Sequence, residues 1–180
     1  LWGGTGSDTL RGGLGKDELF AEGDENTETD AATDRNLLLG EGGDDRLYGG
    51  RGADTLRGGI GHDLAYGGDG DDVLEGEAGN DTLFGNAGAD WISGGPGADR
   101  LDGGPGDDTV LYDPSDPWAD GGEGYDLLVL PGDRRVVAIY GGARIEVQRR
   151  ELEQGVDLVV ATPGRMIDLL QQGDVSLDDV

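Results

Sequence analysis

From Gly40 to Val129 a nine-residue unit recurs without losing register, and no other feature limits the fold as tightly. The units read GEGGDDRLY, GGRGADTLR, GGIGHDLAY, GGDGDDVLE, GEAGNDTLF, GNAGADWIS, GGPGADRLD, GGPGDDTVL, YDPSDPWAD and GGEGYDLLV. Two more, GGTGSDTLR from Gly3 and GGLGKDELF from Gly12, precede them. All but YDPSDPWAD follow the frame G-G-x-G-x-D-x-U-x, with U apolar and with Glu41, Glu77 and Asn86 in the second place of three units, and YDPSDPWAD keeps the length. Glycines at positions 1, 2 and 4 allow a tight loop with positive φ, which a Cβ would obstruct. Positions 7 to 9 are β-compatible and turn one apolar side chain to one face. These are Leu10, Leu19, Leu47, Leu56, Ala65, Leu74, Leu83, Ile92, Leu101, Val110 and Leu128. A three-residue strand cannot stand alone, so the copies must stack and bury this ladder together.

A longer period is visible at position 9. Tyr48, Tyr66 and Phe84 lie 18 residues apart, with Arg57, Glu75 and Ser93 on the interleaved units. One outer face therefore carries an aromatic row and the other a polar one. The row stabilises a sheet by stacking; its other use is a docking surface.

Composition bounds the function. The 180 residues carry a net charge of −26 and 38 glycines, an average that elsewhere would mean disorder. A disordered chain does not keep a strict period. Residues 1–130 hold 30 acids against 7 bases, and residues 131–180 hold 9 against 6. The break near Leu130–Arg135 thus separates two textures. Such acidity opposes nucleic acid and anionic membranes and favours cations. No cysteine is present, so neither disulfide nor thiol chemistry is available. No apolar run approaches the roughly 18 residues of a membrane span. The chain begins with Leu and shows no leader, so it reads as a piece of a longer one.

The expected organisation is a first pair of repeats in 1–20, an acidic insertion in 21–39, the continuous array in 40–130 and a different segment in 131–180. AEGDENTET within the insertion reads as a decayed unit, with Glu28 for the apolar residue and Asn26 for the Asp. An EF-hand from Asp24 fails, because Thr29 stands where that loop needs Gly. YDPSDPWAD loses the loop glycines and places Pro117 at position 6, which predicts a bulged coil without metal, with Trp118 over the core. After Pro131, Val136–Tyr140 and Val156–Thr162 read as buried strands. Arg144–Gln154 reads as a helix closed by Gly155, and Thr162-Pro163 opens another through Gln172. The whole is an all-β stack of nine-residue units with a short βαβα appendage.

Every regular unit places an Asp at position 6: Asp8, Asp17, Asp45, Asp54, Asp63, Asp72, Asp81, Asp90, Asp99, Asp108 and Asp126. As turn-formers such residues explain one or two positions, not eleven at one phase. Over residues 1–130 the frame resembles the RTX (repeats-in-toxin) family, a parallel β-roll that binds calcium ions. The resemblance implies coils of two units, alternate units feeding two opposed parallel sheets, and secretion to the cell exterior. It also implies ions shared between loops one coil apart, which pairs 45/63, 54/72, 63/81, 72/90, 81/99, 90/108 and 108/126. Asp99 then meets Pro117, and Asp8 and Asp17 find no partner 18 residues on. The chemistry agrees: calcium takes six to eight oxygens, and a glycine loop turning its carbonyls inward needs a carboxylate to close the site.

Enzymatic chemistry finds no footing. His62, the lone histidine, sits at a variable loop position and is expected to face solvent. Asp44, Asp69, Asp71 and Asp107 add negative potential rather than a catalytic carboxylate pair. No nucleophile, base and orienter come together.

The tail carries a second resemblance. Residues 135–180, with the pair Gly141-Gly142 and the run Thr162, Pro163, Gly164, Arg165, look like part of the first RecA-like domain of a DEAD-box RNA helicase. That implies contact of these six residues with an RNA backbone at a helix N-terminus. The phosphate-binding G-x-x-x-x-G-K-[ST] loop and the Asp-Glu-Ala-Asp box are both missing. The alternative function is therefore RNA-backbone binding by 135–180, without ATP hydrolysis.

Overall fold

The computed structural model describes residues 1–22, 33–113 and 115–130, and the backbones of two strands at 134–139 and 158–161. Seven strands build one sheet: β1 (Trp2–Gly4), β3 (Glu18–Glu22), β5 (Arg46–Arg51), β7 (Leu64–Asp69), β9 (Thr82–Ala87), β11 (Arg100–Pro105) and β13 (Trp118–Glu123). Nine build the other: β2 (Thr9–Leu14), β4 (Leu37–Gly42), β6 (Thr55–Ile60), β8 (Val73–Ala78), β10 (Trp91–Ser93), β12 (Thr109–Leu111), β14 (Leu127–Leu130), β15 (Arg134–Ile139) and β16 (Leu158–Ala161). Within each sheet the repeat strands run parallel, with residues 18 apart in register, as in Leu56↔Leu74 and Ala65↔Leu83. The chain is a parallel β-solenoid.

Alternation along each strand sends position 8 inward. Leu19, Leu38, Leu47, Leu56, Leu74, Leu83, Ile92, Leu101 and Val110 are all fully buried between the sheets. Each such side chain contributes about 2 kcal/mol by leaving water. Leu128 and Ala119 pack against this core from its far end. Leu38 belongs to a repeat the sequence reading missed. β4 begins inside the span 21–39 that was expected to be an insertion, and β3 already runs to Glu22. Leu10 pairs with Leu38, 28 residues on, where Leu38 pairs with Leu56 at 18. The interruption therefore adds ten residues to a single coil and costs no register.

The aromatic row is a stack. Ring centroids are 5.0 Å apart for Tyr66–Phe84 and 5.5 Å for Tyr48–Tyr66. It continues through Phe20 and Trp2 at 4.7 and 4.2 Å, with the added ten residues falling between Phe20 and Tyr48. On the other sheet the polar row pairs Arg57 with Glu75 at 2.7 Å. Trp118 does not cover the core as expected. Its neighbour Ala119 takes the inward position, and the Trp118 ring lies under the Arg100 guanidinium at 4.5 Å.

Beyond the repeats, β15 pairs antiparallel with β14 and ends the parallel ladder, and β16 pairs parallel with β15. These match the two strands expected in the appendage. The expected helices Arg144–Gln154 and Thr162–Gln172, the decayed unit AEGDENTET beyond Glu22, and the six helicase-like residues lie outside the described residues.

Candidate metal centres

The loops between strands stack into two columns, one on each edge of the solenoid. One column carries Asp17, Asp45, Asp63, Asp81 and Asp99; the other carries Asp8, Asp54, Asp72, Asp90, Asp108 and Asp126. Asp8 and Asp17 are half-buried and the other nine are buried. Backbone strain is concentrated in the same loops. Position 2 and position 4 adopt positive φ, as at Gly59 (110°) and Gly61 (148°). Glu41, Glu77 and Asn86 occupy position 2 at φ of 75°, 71° and 73°, a left-handed conformation that glycine holds at far lower cost.

Position 1 does not adopt positive φ, contrary to expectation, and its glycine has another cause. A Cβ at Gly40 would stand 2.5 Å from Asp45 Oδ2 and 2.4 Å from the Gly58 carbonyl oxygen. At Gly85 it would meet Asp90 Oδ2 at 2.3 Å and the Gly103 carbonyl at 2.6 Å. Only hydrogen leaves room for two oxygens from successive coils to converge there.

Each Asp uses its two oxygens differently. Oδ1 accepts the backbone N–H of the Asp one coil earlier: Asp45 donates to Asp63, Asp54 to Asp72, Asp63 to Asp81, Asp72 to Asp90 and Asp81 to Asp99, all at 2.7–2.8 Å. Asp90 donates to Asp108 at 2.8 Å and Asp108 to Asp126 at 3.0 Å. All seven expected pairs are thus brought together. Oδ2 of Asp45, Asp63, Asp72, Asp81, Asp90, Asp99 and Asp108 is buried and accepts no hydrogen bond.

The electrostatic consequence is large. Desolvation raises every one of these carboxyls, and the Asp of the neighbouring coil raises most of them further. Asp72 is pushed up to about 8, Asp81 and Asp108 to about 7, and Asp63 and Asp90 to about 6. The ion pairs Arg11–Glu41, Lys16–Asp44, Arg46–Glu18 and Arg57–Glu75 lie on the outside and touch none of these five. A buried anion without hydrogen bond or counter-charge is strongly unfavourable. Oxygens from a carboxylate and from backbone carbonyls, converging in a glycine-lined space, fit a hard cation. Among the described residues no three His, Cys, Asp or Glu side chains cluster as they would around zinc.

Two expectations about partners are corrected. Asp8 and Asp17 do have acceptors, displaced to 28 residues by the added segment: Asn36 Oδ1 and Asp45 Oδ1, both at 2.8 Å. Asp99 does not meet Pro117. Its N–H donates to Asp116 Oδ1 at 3.0 Å, 17 residues on. Asn36 and Asp116 are both buried and were missed. The signal for Asn36 was present, since Asn36-Leu37-Leu38-Leu39 occupies positions 6 to 9 directly before Gly40.

Position 5 forms a second ladder on the exposed rim. Asp44, Asp71 and Asp107 accept the N–H groups of His62, Ala89 and Tyr125 through Oδ1 at 2.9–3.0 Å. His62 is exposed as expected, and its Nδ1 accepts the Asn80 N–H at 2.9 Å.

A family profile described as RTX calcium-binding nonapeptide repeat (4 copies) matches residues 1–28, 30–65, 49–83, 66–101 and 75–110. No solved structure matches the chain. The comparisons give no support to the helicase-like alternative for 135–180. The matched segments cover well over half of the sequence and coincide with the stacked loops, and several calcium ions are what such repeats bind. The chain belongs to the RTX calcium-binding nonapeptide repeat family.

Proposed function

We propose that this calcium-binding β-roll is a folding and scaffolding module of a secreted protein, without catalysis of its own. The observation that carries the reading is the repeated Oδ2 of Asp45, Asp63, Asp72, Asp81, Asp90, Asp99 and Asp108, buried and unpartnered beside a position-1 glycine. The candidate ligands are the position-6 carboxylates, from Asp8 and Asp17 through Asp45, Asp54 and their successors to Asp126, with loop carbonyls completing each site. Calcium supplies positive charge at the point where two coils meet, so binding and stacking become one event. The calcium-free chain holds 30 acids in residues 1–130 and one apolar side chain per unit. That is too little burial to offset backbone ordering of about 1–2 kcal/mol per residue. Low calcium inside a cell then keeps the array open, and the calcium-rich exterior folds it. On this reading residues 1–130 act as the roll and 131–180 as an appendage closing its end.

The test is a calcium titration of the 180-residue chain followed by far-UV circular dichroism, with chelator and magnesium as controls. Cooperative gain of β-signal with calcium alone is expected. An identical spectrum in chelator and in millimolar calcium would overturn the proposal.

A further inference from the structure

The two irregular loops close the carboxylate ladder in a way the regular ones do not. In the regular loops an oxygen, Oδ2, points where a cation is needed. At Asn36 the corresponding atom is Nδ2, which donates to Asp54 Oδ1 at 3.0 Å. Its orientation is fixed, because Asn36 Oδ1 accepts the Asp8 N–H and cannot exchange places with the nitrogen. The Asn36 N–H donates to the same Asp54 oxygen at 2.7 Å. A lone-pair donor facing a carboxylate has been replaced by a proton donor, and the contact needs no ion.

The Asp116 loop reaches the same end by other means. Both of its carboxylate oxygens are occupied: Oδ1 by the Asp99 N–H at 3.0 Å and Oδ2 by the Asp113 N–H at 2.7 Å. The Ser115 hydroxyl donates to the Gly97 carbonyl at 2.6 Å, and the Tyr112 hydroxyl to the Asp116 carbonyl at 3.3 Å. These bonds hold a loop from which the glycines are missing. Asn36 lies in one column of loops near its start, and Asp116 in the other near its end.

We propose that Asn36 and Asp116 are metal-independent closures, positions where the chain's own N–H groups take the place of calcium, so that ions are held at the Asp levels from Asp45 to Asp108 and at neither closure. The inference rests on the calcium reading above and refines it: the period counts loops, whereas the donor inventory counts ions. Asn36→Asp turns Nδ2 back into an acceptor and creates the missing level.

Calcium stoichiometry of the full chain, by equilibrium dialysis at saturating free calcium, tests this. Asn36→Asp is expected to bind one more ion than the parent. Asp116→Asn is expected to keep the parent number while lowering the thermal midpoint, since Nδ2 would face the Asp113 N–H. Asp90→Asn, within the array, is expected to lose at least one ion. Unchanged stoichiometry in Asn36→Asp, or loss of an ion in Asp116→Asn, overturns the inference while leaving calcium binding intact. So does loss of an ion in Glu22→Gln, because Glu22 Oε1 is buried and unpartnered over Gly50 beside the Asn36 loop. Absence of calcium from parent and Asp90→Asn alike defeats the underlying reading instead.

Discussion

One atom per unit decides how this chain behaves. Each buried position-6 Asp, such as Asp72, spends Oδ1 on the backbone of the preceding coil and leaves Oδ2 beside a glycine that has no side chain to interfere. A mutation there acts on two coils at once. Asp72 accepts from Asp54 and donates to Asp90, so Asp72→Ala removes one rung and leaves the Asp54 amide buried without its acceptor. Asp8 sits half-buried at the start of its column. Asp72→Ala is expected to raise the calcium midpoint for folding several-fold more than Asp8→Ala, because an interior defect in a linear stack disrupts both interfaces. Equal midpoints in a dichroism-monitored titration would exclude the coupled ladder. The position-6 carboxylates were legible in the sequence because their phase is strict. Asn36 keeps that phase before Leu37-Leu38-Leu39 but was passed over, because it differs from Asp by one donor and stands where the glycines have lapsed. Asp116 was not legible, because its loop reaches the ladder one residue early and Pro117 occupied the counted place.

At the scale of the strand and its loop, the repeat is a compromise between stacking and backbone strain. At position 4, Gly79 is irreplaceable for two reasons together: a Cβ there would lie 1.5 Å from the Gly61 carbonyl oxygen, and φ is 149°. Position 2 is less severe, and three units carry a side chain there. Glu77 holds φ at 71° with its side chain exposed. Left-handed backbone costs a residue of this kind about 1–2 kcal/mol, and glycine is freer to adopt it. Glu77→Gly is therefore expected to stabilise the calcium-loaded roll by about 1 kcal/mol against denaturant. Asn86→Gly gains less, since Asn tolerates the conformation better than Glu. A loss of stability in Glu77→Gly would mean that its side chain contributes more than its backbone costs. The strands of the regular units were readable from the sequence, and so was the alternation that buries Leu56 and Leu74, whereas β1 and β4 were not. The length of the interruption was not readable: residues 21–39 hold no glycine frame to count by, and the register resumes silently at Asn36. Position 1 was misread in mechanism, because lack of space between two oxygens and freedom of φ select the same residue.

For the molecule as a whole, the raised carboxyls tie protons and calcium to one equilibrium. In the calcium-free folded chain Asp72 titrates near 8, Asp81 and Asp108 near 7, and Asp63 and Asp90 near 6, all above the unfolded value of 3.8. The folded state therefore binds protons more tightly than the unfolded state between about pH 4 and pH 8. Its stability must fall as pH rises through that window and be fully present only below the unfolded value. This is the reverse of the usual acid denaturation, in which salt-bridged carboxylates have depressed values. Two outcomes are expected. In chelator, β-structure is gained as pH is lowered from 8 towards 5, a range that stays above the isoelectric region near 4.1. Calcium binding to that protonated fold is expected to release protons into a weakly buffered solution, because the ion displaces them from Asp72, Asp81 and Asp108. Apparent calcium affinity accordingly weakens as pH drops from 8 to 6. Circular dichroism across pH in chelator, paired with calorimetry in two buffers of different ionisation enthalpy, measures both. If the chelated chain loses structure on acidification across this range, or if calcium binding takes up protons, the buried Oδ2 atoms are not the groups that oppose folding.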